Sequence, residues 1–164
     1  MTTFCNLLNS LEFSLVYVYD PHSSVQKRIN HCIGRYPNVE VMRALKLSNS
    51  DTICYPDHGA FVKYMEKLVI PTNIDIVNGV KVREPLTGQI LSMFINGNCL
   101  DKNVLIVDDI CDRGGTFIML SDLLYKNGAK SVNLYVSHGL FTGGAEVLRQ
   151  HYIERIFTKE GEIK

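Results

Sequence analysis

The sequence predicts an α/β domain, a parallel β-sheet flanked by helices. Runs of β-favouring residues alternate with segments of helical period through most of the chain. Val104-Leu-Ile-Val107 is apolar without interruption, as expected of a strand buried on both faces of a parallel sheet. The length of 164 residues, with 46% hydrophobic and 21% charged, suits one compact domain over 1–164 with a core of its own.

Each element follows from its local pattern. Phe4, Leu7, Leu8 and Leu11 recur at helical spacing, so Thr2 to Leu11 reads as a helix. Leu15 to Tyr19 is a β-favouring run closed by Asp20-Pro21. The pattern weakens from His22 to Ser50, where only Gln26 to Ile33 suggests a helix. Asp51 to Tyr55 is a short strand ending at Pro56-Asp57, and Phe61, Tyr64, Met65 and Leu68 give Ala60 to Leu68 one helical face. Ile74 to Val77 reads as a strand. The polar, glycine-bearing stretch from Asn78 to Gly88 suits either a mobile loop or an extended hairpin. After Val104 to Val107, Phe117 to Asn127 is an amphipathic helix with Gly128 as its C-terminal cap. Ser131 to Ser137 and Ile153 to Thr158 are further strands, with a helix from Ala145 to Gln150 between them.

Composition excludes several classes of partner. Lysine plus arginine equals aspartate plus glutamate, 17 of each, so nothing points to nucleic acid or an anionic membrane. No apolar run approaches the roughly 20 residues of a membrane span, and Met1-Thr-Thr-Phe4 lacks the basic flank of a signal peptide. The five cysteines are odd in number and form no C-x-x-C pair, which argues for reduced thiols and a cytoplasmic setting.

The chemistry concentrates after the apolar run. Asp108 and Asp109 follow it directly, where open parallel sheets bind their ligands. Asp112-Arg-Gly-Gly-Thr116 then leads into a helix. Two glycines let backbone approach an anion, the helix start offers unpaired N–H groups, and Thr116 adds a hydroxyl. Donors for a phosphate beside carboxylates for hydroxyls fit a sugar phosphate. Gly-Gly-Thr alone reads more readily as a tight turn with a helix cap; the full thirteen-residue pattern from Val104 to Thr116 is more specific. Neither G-x-x-x-x-G-K-[ST] nor G-x-G-x-x-G is present.

Val104 to Thr116 resembles the phosphoribosyl pyrophosphate motif of type I phosphoribosyltransferases, which implies their fold. Asn127-Gly-Ala129 and Val136-Ser-His-Gly-Leu-Phe-Thr-Gly143 are similar to the stretch that follows it in ribose-phosphate pyrophosphokinases. Tyr19-Asp-Pro-His-Ser23, Tyr55-Pro-Asp-His-Gly-Ala60 and Lys81-Val-Arg83 resemble, in order, that family's metal and ATP segment, its Pro-Asp-x-Gly turn and its catalytic Lys-x-Arg loop. The resemblance covers about residues 2 to 158.

What it implies is a diphosphokinase that moves the pyrophosphoryl group of ATP onto the C1 hydroxyl of ribose 5-phosphate, leaving AMP. Asp108 and Asp109 would hold the ribose hydroxyls. Asp112, Gly114, Gly115 and Thr116 would hold the 5-phosphate. Arg113, where a small residue is common, either adds a cation there or faces solvent. His22 and Asp57 would lie near Mg2+ and the ATP phosphates, and Mg2+ prefers oxygen ligands and keeps several waters. Lys81 and Arg83 would close over the reaction from a flexible loop and neutralise developing charge. Taken alone, Lys81-Val-Arg83 is ordinary surface charge and His22 a turn residue; His138 reads as structural.

By the same resemblance, 1–21 match the end of the family's first half and 22–164 its second half, and the chain stops before the usual closing helix. A fragment, a split-gene subunit and a natural short form all fit. Such a chain is expected to bind ribose 5-phosphate well and ATP poorly, and to form a homo-oligomer or a complex with another subunit through the apolar Phe4 to Leu11. Two other functions compete: a phosphoribosyltransferase that consumes phosphoribosyl pyrophosphate, and a non-catalytic subunit that binds the sugar phosphate.

Overall fold

The computed structural model describes residues 2–84 and 90–164, and of Arg83, Ile90 and Leu91 only the backbone. It contains two compact units, Met1–Pro37 and Asn38–Lys164.

The first unit holds helix α1 (Thr2–Ser10), strand β1 (Val16–Tyr19), a 3-10 turn (Ser24–Arg28) and strand β2 (Cys32–Arg35), with β1 and β2 parallel. Asn9 ties the end of α1 down. Its Nδ2 donates to the Arg28 carbonyl at 3.0 Å, and its Oδ1 accepts from the Asn30 N–H at 2.8 Å. The apolar period of α1 misleads about burial, since Cys5 is buried while Phe4 and Leu7 are exposed. The helix suggested over Gln26 to Ile33 is instead the 3-10 turn followed by β2. His31 enters the left-handed region at φ 53 and stops any helix there.

The second unit is a seven-stranded sheet in the order β5-β4-β3-β6-β7-β8-β9. Its strands are β3 (Thr52–Tyr55), β4 (Asp75–Arg83), β5 (Ile90–Asn96), β6 (Asn103–Cys111), β7 (Ser131–Gly139), β8 (Ile153–Thr158) and β9 (Gly161–Ile163). Its helices are α2 (Asn38–Leu47), α3 (His58–Lys67), α4 (Gly115–Lys126) and α5 (Ala145–Gln150). From β4 to β8 all neighbours are parallel, as the alternating pattern implies. Both edges are antiparallel, because β5 returns against β4 and β9 against β8. Helix α2 has only Val41, Ala44 and Leu45 buried, too sparse an apolar face to stand out in the sequence.

Burial assigns the helices to faces. Val104, Leu105, Ile106 and Val107 are all fully buried, so β6 is covered on both sides. Val104 and Ile106 share a core with Phe117, Leu120 and Leu124 of α4 and Leu148 of α5. On the other face Tyr55 stacks on Tyr64 of α3 with ring centroids 5.6 Å apart. Gly128, at φ +86, ends α4 as expected, with Ala129 N–H donating to the Leu124 carbonyl at 3.0 Å.

The crossover through α3 carries the chain from β3 outward to β4, whereas those through α4 and α5 carry it from β6 the opposite way. The direction reverses between β3 and β6. At such a switch point loops diverge and leave a crevice beyond the carboxyl ends of the strands.

Candidate functional site

Strand β6 outruns its neighbour on one side. Its pairing with β3 stops at Ile106, while its pairing with β7 continues to Cys111. Asp108 and Asp109 therefore lie within β6, on a ledge paired on the β7 side, rather than just after the strand as the sequence suggested. Neighbouring strand residues face opposite sides, and the two acids differ accordingly. Asp109 is 4% exposed and receives Lys63 Nζ from α3 at 2.7 Å. Asp108 accepts the Asp109 N–H on Oδ1 at 2.9 Å. Burial, followed by the negative charge of Asp109, pushes the Asp108 carboxyl up to about 7. Asp57 adds to that rise, while the Asp109 N–H and Lys63 oppose it.

The next turn is held from the loop after β7. Leu140 N–H donates to the Cys111 carbonyl at 2.8 Å and Thr142 N–H to the Asp112 carbonyl at 3.1 Å. The Thr142 hydroxyl also donates to the Asp112 carboxylate. Gly114 turns the backbone into α4 at φ +81, which a side chain rarely adopts. It acts as N-cap and, having no side chain, makes no side-chain cap to the first turn of α4. The Gly115 and Thr116 N–H groups have no partner within the helix, and a Cβ at Gly115 would meet nothing within 4 Å. Backbone donors at the positive end of a helix dipole thus open onto space beside two acids.

Asp57 follows β3 and caps α3, its Oδ1 accepting the Ala60 N–H at 3.0 Å. Its Oδ2 meets Lys81 Nζ at 2.9 Å, with the lysine 9% exposed. Burial alone would raise the Asp57 carboxyl, but the N–H groups of Ala60 and Gly59 and the Lys81 ammonium outweigh it and hold it below its ordinary value. Lys81 was expected on a flexible loop. It stands in β4, opposite Met93 of β5, so of the two readings of Asn78 to Gly88 the hairpin holds through residue 83. Residues 85–89 and the Arg83 side chain lie outside the described residues.

The described structure thus gathers Asp108, Asp109, Asp112, Gly114, Gly115 and Thr116 along one strand, turn and helix start. Arg113 is exposed in that turn. Asp57 and Lys81 pair with each other at the end of β3. His22 belongs to the first unit, exposed between β1 and the 3-10 turn. His138 sits on β7 opposite Ile110. For a divalent cation, no three His, Cys, Asp or Glu side chains converge among the described residues. Both Asp57 oxygens already have partners, so this arrangement does not form a ready-made cage for Mg2+. Two participants escaped sequence reasoning. Lys63 looks like one more charge on a helix, and the link from Thr142 to Asp112 spans thirty residues.

Comparison with known proteins agrees with this fold. Residues 59–164 match the family model described as phosphoribosyl transferase domain. A ribose-phosphate pyrophosphokinase from Ureaplasma parvum is 34% identical over 113 residues, covering 69% of this chain and 33% of that protein. Its counterpart from Saccharolobus solfataricus is 29% identical over 150 residues, 88% of this chain and 50% of the other. The chain therefore spans half or less of the length of these curated relatives. Among solved structures, phosphoribosylpyrophosphate synthetase from Mycobacterium smegmatis superimposes with a TM-score of 0.71 at 18% identity, over 96% of this chain and 52% of that one. A purine phosphoribosyltransferase from Pyrococcus horikoshii gives 0.53 at 18% identity, over 88% and 87%. At these identities the structural likeness establishes the fold.

Proposed function

The chain belongs to the phosphoribosyl transferase domain family, and from that premise we propose that it binds ribose 5-phosphate and serves the ribose-phosphate diphosphokinase reaction. In that reaction the C1 hydroxyl of the sugar takes the pyrophosphoryl group of ATP, giving phosphoribosyl pyrophosphate and AMP. The observation that supports this most strongly is the turn at Asp112 to Thr116, an uncapped helix start next to a ledge bearing two carboxylates. Backbone N–H groups of Gly115 and Thr116 and the Thr116 hydroxyl receive the 5-phosphate. Asp108 and Asp109 accept hydrogen bonds from the ribose hydroxyls. Arg113 adds positive charge at the rim of the turn.

Lys81, with Arg83, supplies the cation for the transferred group. Phosphoryl-type transfer depends chiefly on positioning and charge neutralisation. Lys81 must then leave Asp57 to reach a phosphate, an exchange of one anion for another. Mg2+ belongs with the ATP phosphates in this reading, since it needs only one or two carboxylates when substrate oxygens complete its shell. His22 and Asp57 are the proposed groups near it. A homo-oligomer or a second subunit is the proposed partner. No helix among the described residues is long and apolar enough to cross a membrane. The odd number of cysteines with no C-x-x-C pair supports a reducing, cytoplasmic setting.

The test is to follow AMP released from ATP with ribose 5-phosphate, beside base-dependent pyrophosphate release from phosphoribosyl pyrophosphate. Calorimetric titration of ribose 5-phosphate accompanies both. The diphosphokinase reading expects AMP and sugar-phosphate binding. Pyrophosphate release that requires a base would replace it with a phosphoribosyltransferase, and binding without either activity with a non-catalytic subunit.

A further inference from the structure

The reading of Asp108 and Asp109 as acceptors for ribose hydroxyls requires two neighbouring carboxylates, Asp109 buried and Asp108 half-buried, whose charges oppose one another, which costs energy unless one is neutralised. Lys63 addresses that problem and has no part in the reaction as described. It lies in the second turn of α3, reaching over the ring of Tyr64, with Nζ 4.7 Å from the ring centroid. Its ammonium ends 2.7 Å from Asp109 Oδ2, with 16% of the lysine side chain and 6% of the aspartate side chain exposed. A lysine so buried needs an anion, and an aspartate so buried needs a cation.

We propose that Lys63 is a positioning residue that holds Asp109 as a fixed anion, leaving Asp108 as the acid whose charge decides whether the sugar hydroxyls are received. This rests on the sugar-phosphate reading above and adds a division of labour to it. The geometry makes the two acids unequal. Asp109 is clamped by a cation from α3, while Asp108 accepts the Asp109 N–H. Around Asp108 stand Asp109 and Cys111 on its own strand, Lys63 on α3, and Asp57 with its partner Lys81 at the end of β3. His138 lies further along β7, opposite Ile110. The balance of these groups and burial raises the Asp108 carboxyl to about 7. A protonated Asp108 carboxyl turns one of its oxygens into a donor and no longer offers both to sugar hydroxyls, so binding weakens as the pH falls through that value.

Ribose 5-phosphate is titrated calorimetrically into the full chain from about pH 5.5 to 8.5, a range that brackets the shifted carboxyl. The Asp108 carboxyl carbon is followed by NMR over the same range without ligand. In wild type both midpoints are expected near neutrality. Lys63→Met removes the clamp, so the acid pair holds its proton to higher pH and the midpoint rises by about one unit. Lys63→Arg keeps it in place. Should Lys63→Met fail to fold, Lys63→Met with Asp109→Asn removes both charges and is expected to fold, with the Asp108 midpoint below wild type. An unchanged midpoint in Lys63→Met, or in the double variant, overturns the assignment. Wild type that binds no ribose 5-phosphate at any pH overturns the sugar-phosphate reading instead, and the ligand-free titration still decides the role of Lys63.

Discussion

At Gly114 the backbone turns at φ +81, and a Cβ there would fall 2.6 Å from Leu148 Cδ2. Gly114→Ala is therefore expected to lose about 1–3 kcal/mol of stability from backbone strain and the clash, read by denaturant melts. The adjacent Gly115→Ala meets nothing within 4 Å. It should leave the melt unchanged and yet weaken ribose 5-phosphate binding, because the added methyl sits where the phosphate approaches. Equal binding by Gly115→Ala would move the phosphate elsewhere. Asp108 gives an opposite pair of effects. Its carboxyl rises from 3.8 to about 7 on folding, so between those values the folded chain holds a proton that the unfolded chain has released. Stability from this group is greatest below the unfolded value and falls as pH rises through the folded one. Asp108→Asn keeps an oxygen to accept the Asp109 N–H and removes the charge. It is expected to stabilise the fold by about 1–4 kcal/mol at pH 8, and hardly at all near pH 4, on the linkage scale. The same change should weaken sugar-phosphate binding by about 1–3 kcal/mol. A variant whose melt is no higher at pH 8 would show that Asp108 is not held out of its ordinary range.

The β4–β5 hairpin and helix α3 meet at one carboxylate. Asp57 caps α3 through Oδ1 and holds Lys81 through Oδ2, so a strand residue and a helix start share an anchor. Asp57→Ala is expected to cost about 1–2 kcal/mol, the scale for losing an N-cap. Asp57→Asn keeps the cap and gives up the ion pair; with Asp57 41% exposed the loss should be near 1 kcal/mol or less. Lys81→Met in a double-mutant cycle with Asp57→Asn separates the two parts. If Lys81 exchanges Asp57 for a phosphate during turnover, Lys81→Ala should lower kcat far more than it raises KM. Normal turnover by that variant would leave Lys81 as a structural partner of Asp57 alone.

In the whole molecule, every group assigned to the sugar phosphate lies in the second unit. Lys63, Asp108, Asp109, Asp112 and Thr116 all follow Asn38, as does the complete seven-stranded sheet with its core. A chain starting at Asn38 is accordingly expected to fold cooperatively and to bind ribose 5-phosphate within a few-fold of the full chain. Amide exchange should be slowest in β6 and β7, whose residues are buried on both faces, and fast in the short edge strand β9. Loss of binding on removing 1–37 would show that the first unit completes the sugar site.

Local pattern determined much of this protein. The unbroken apolar run of Val104 to Val107 reads as an interior strand, and Asp-x-Gly-Gly-Thr after it could serve an anion because two glycines and a helix start suffice to make such a turn. Those signals are carried by consecutive residues, so they survive without a fold. Only tertiary structure could decide which charges meet. Lys63 and Asp109 are 46 residues apart and Lys81 and Asp57 are 24 apart, and each pair exists because parallel strands bring distant segments to one sheet end. The same holds for Lys81 standing on a strand instead of a loop. Its partner strand β5 is largely apolar, but an apolar run does not say which segment it pairs with, and it is the pairing across the hairpin that sets Lys81 in a strand. Period and spacing report what a segment does with itself, whereas the charge on Asp108 depends on burial and on what surrounds it in space.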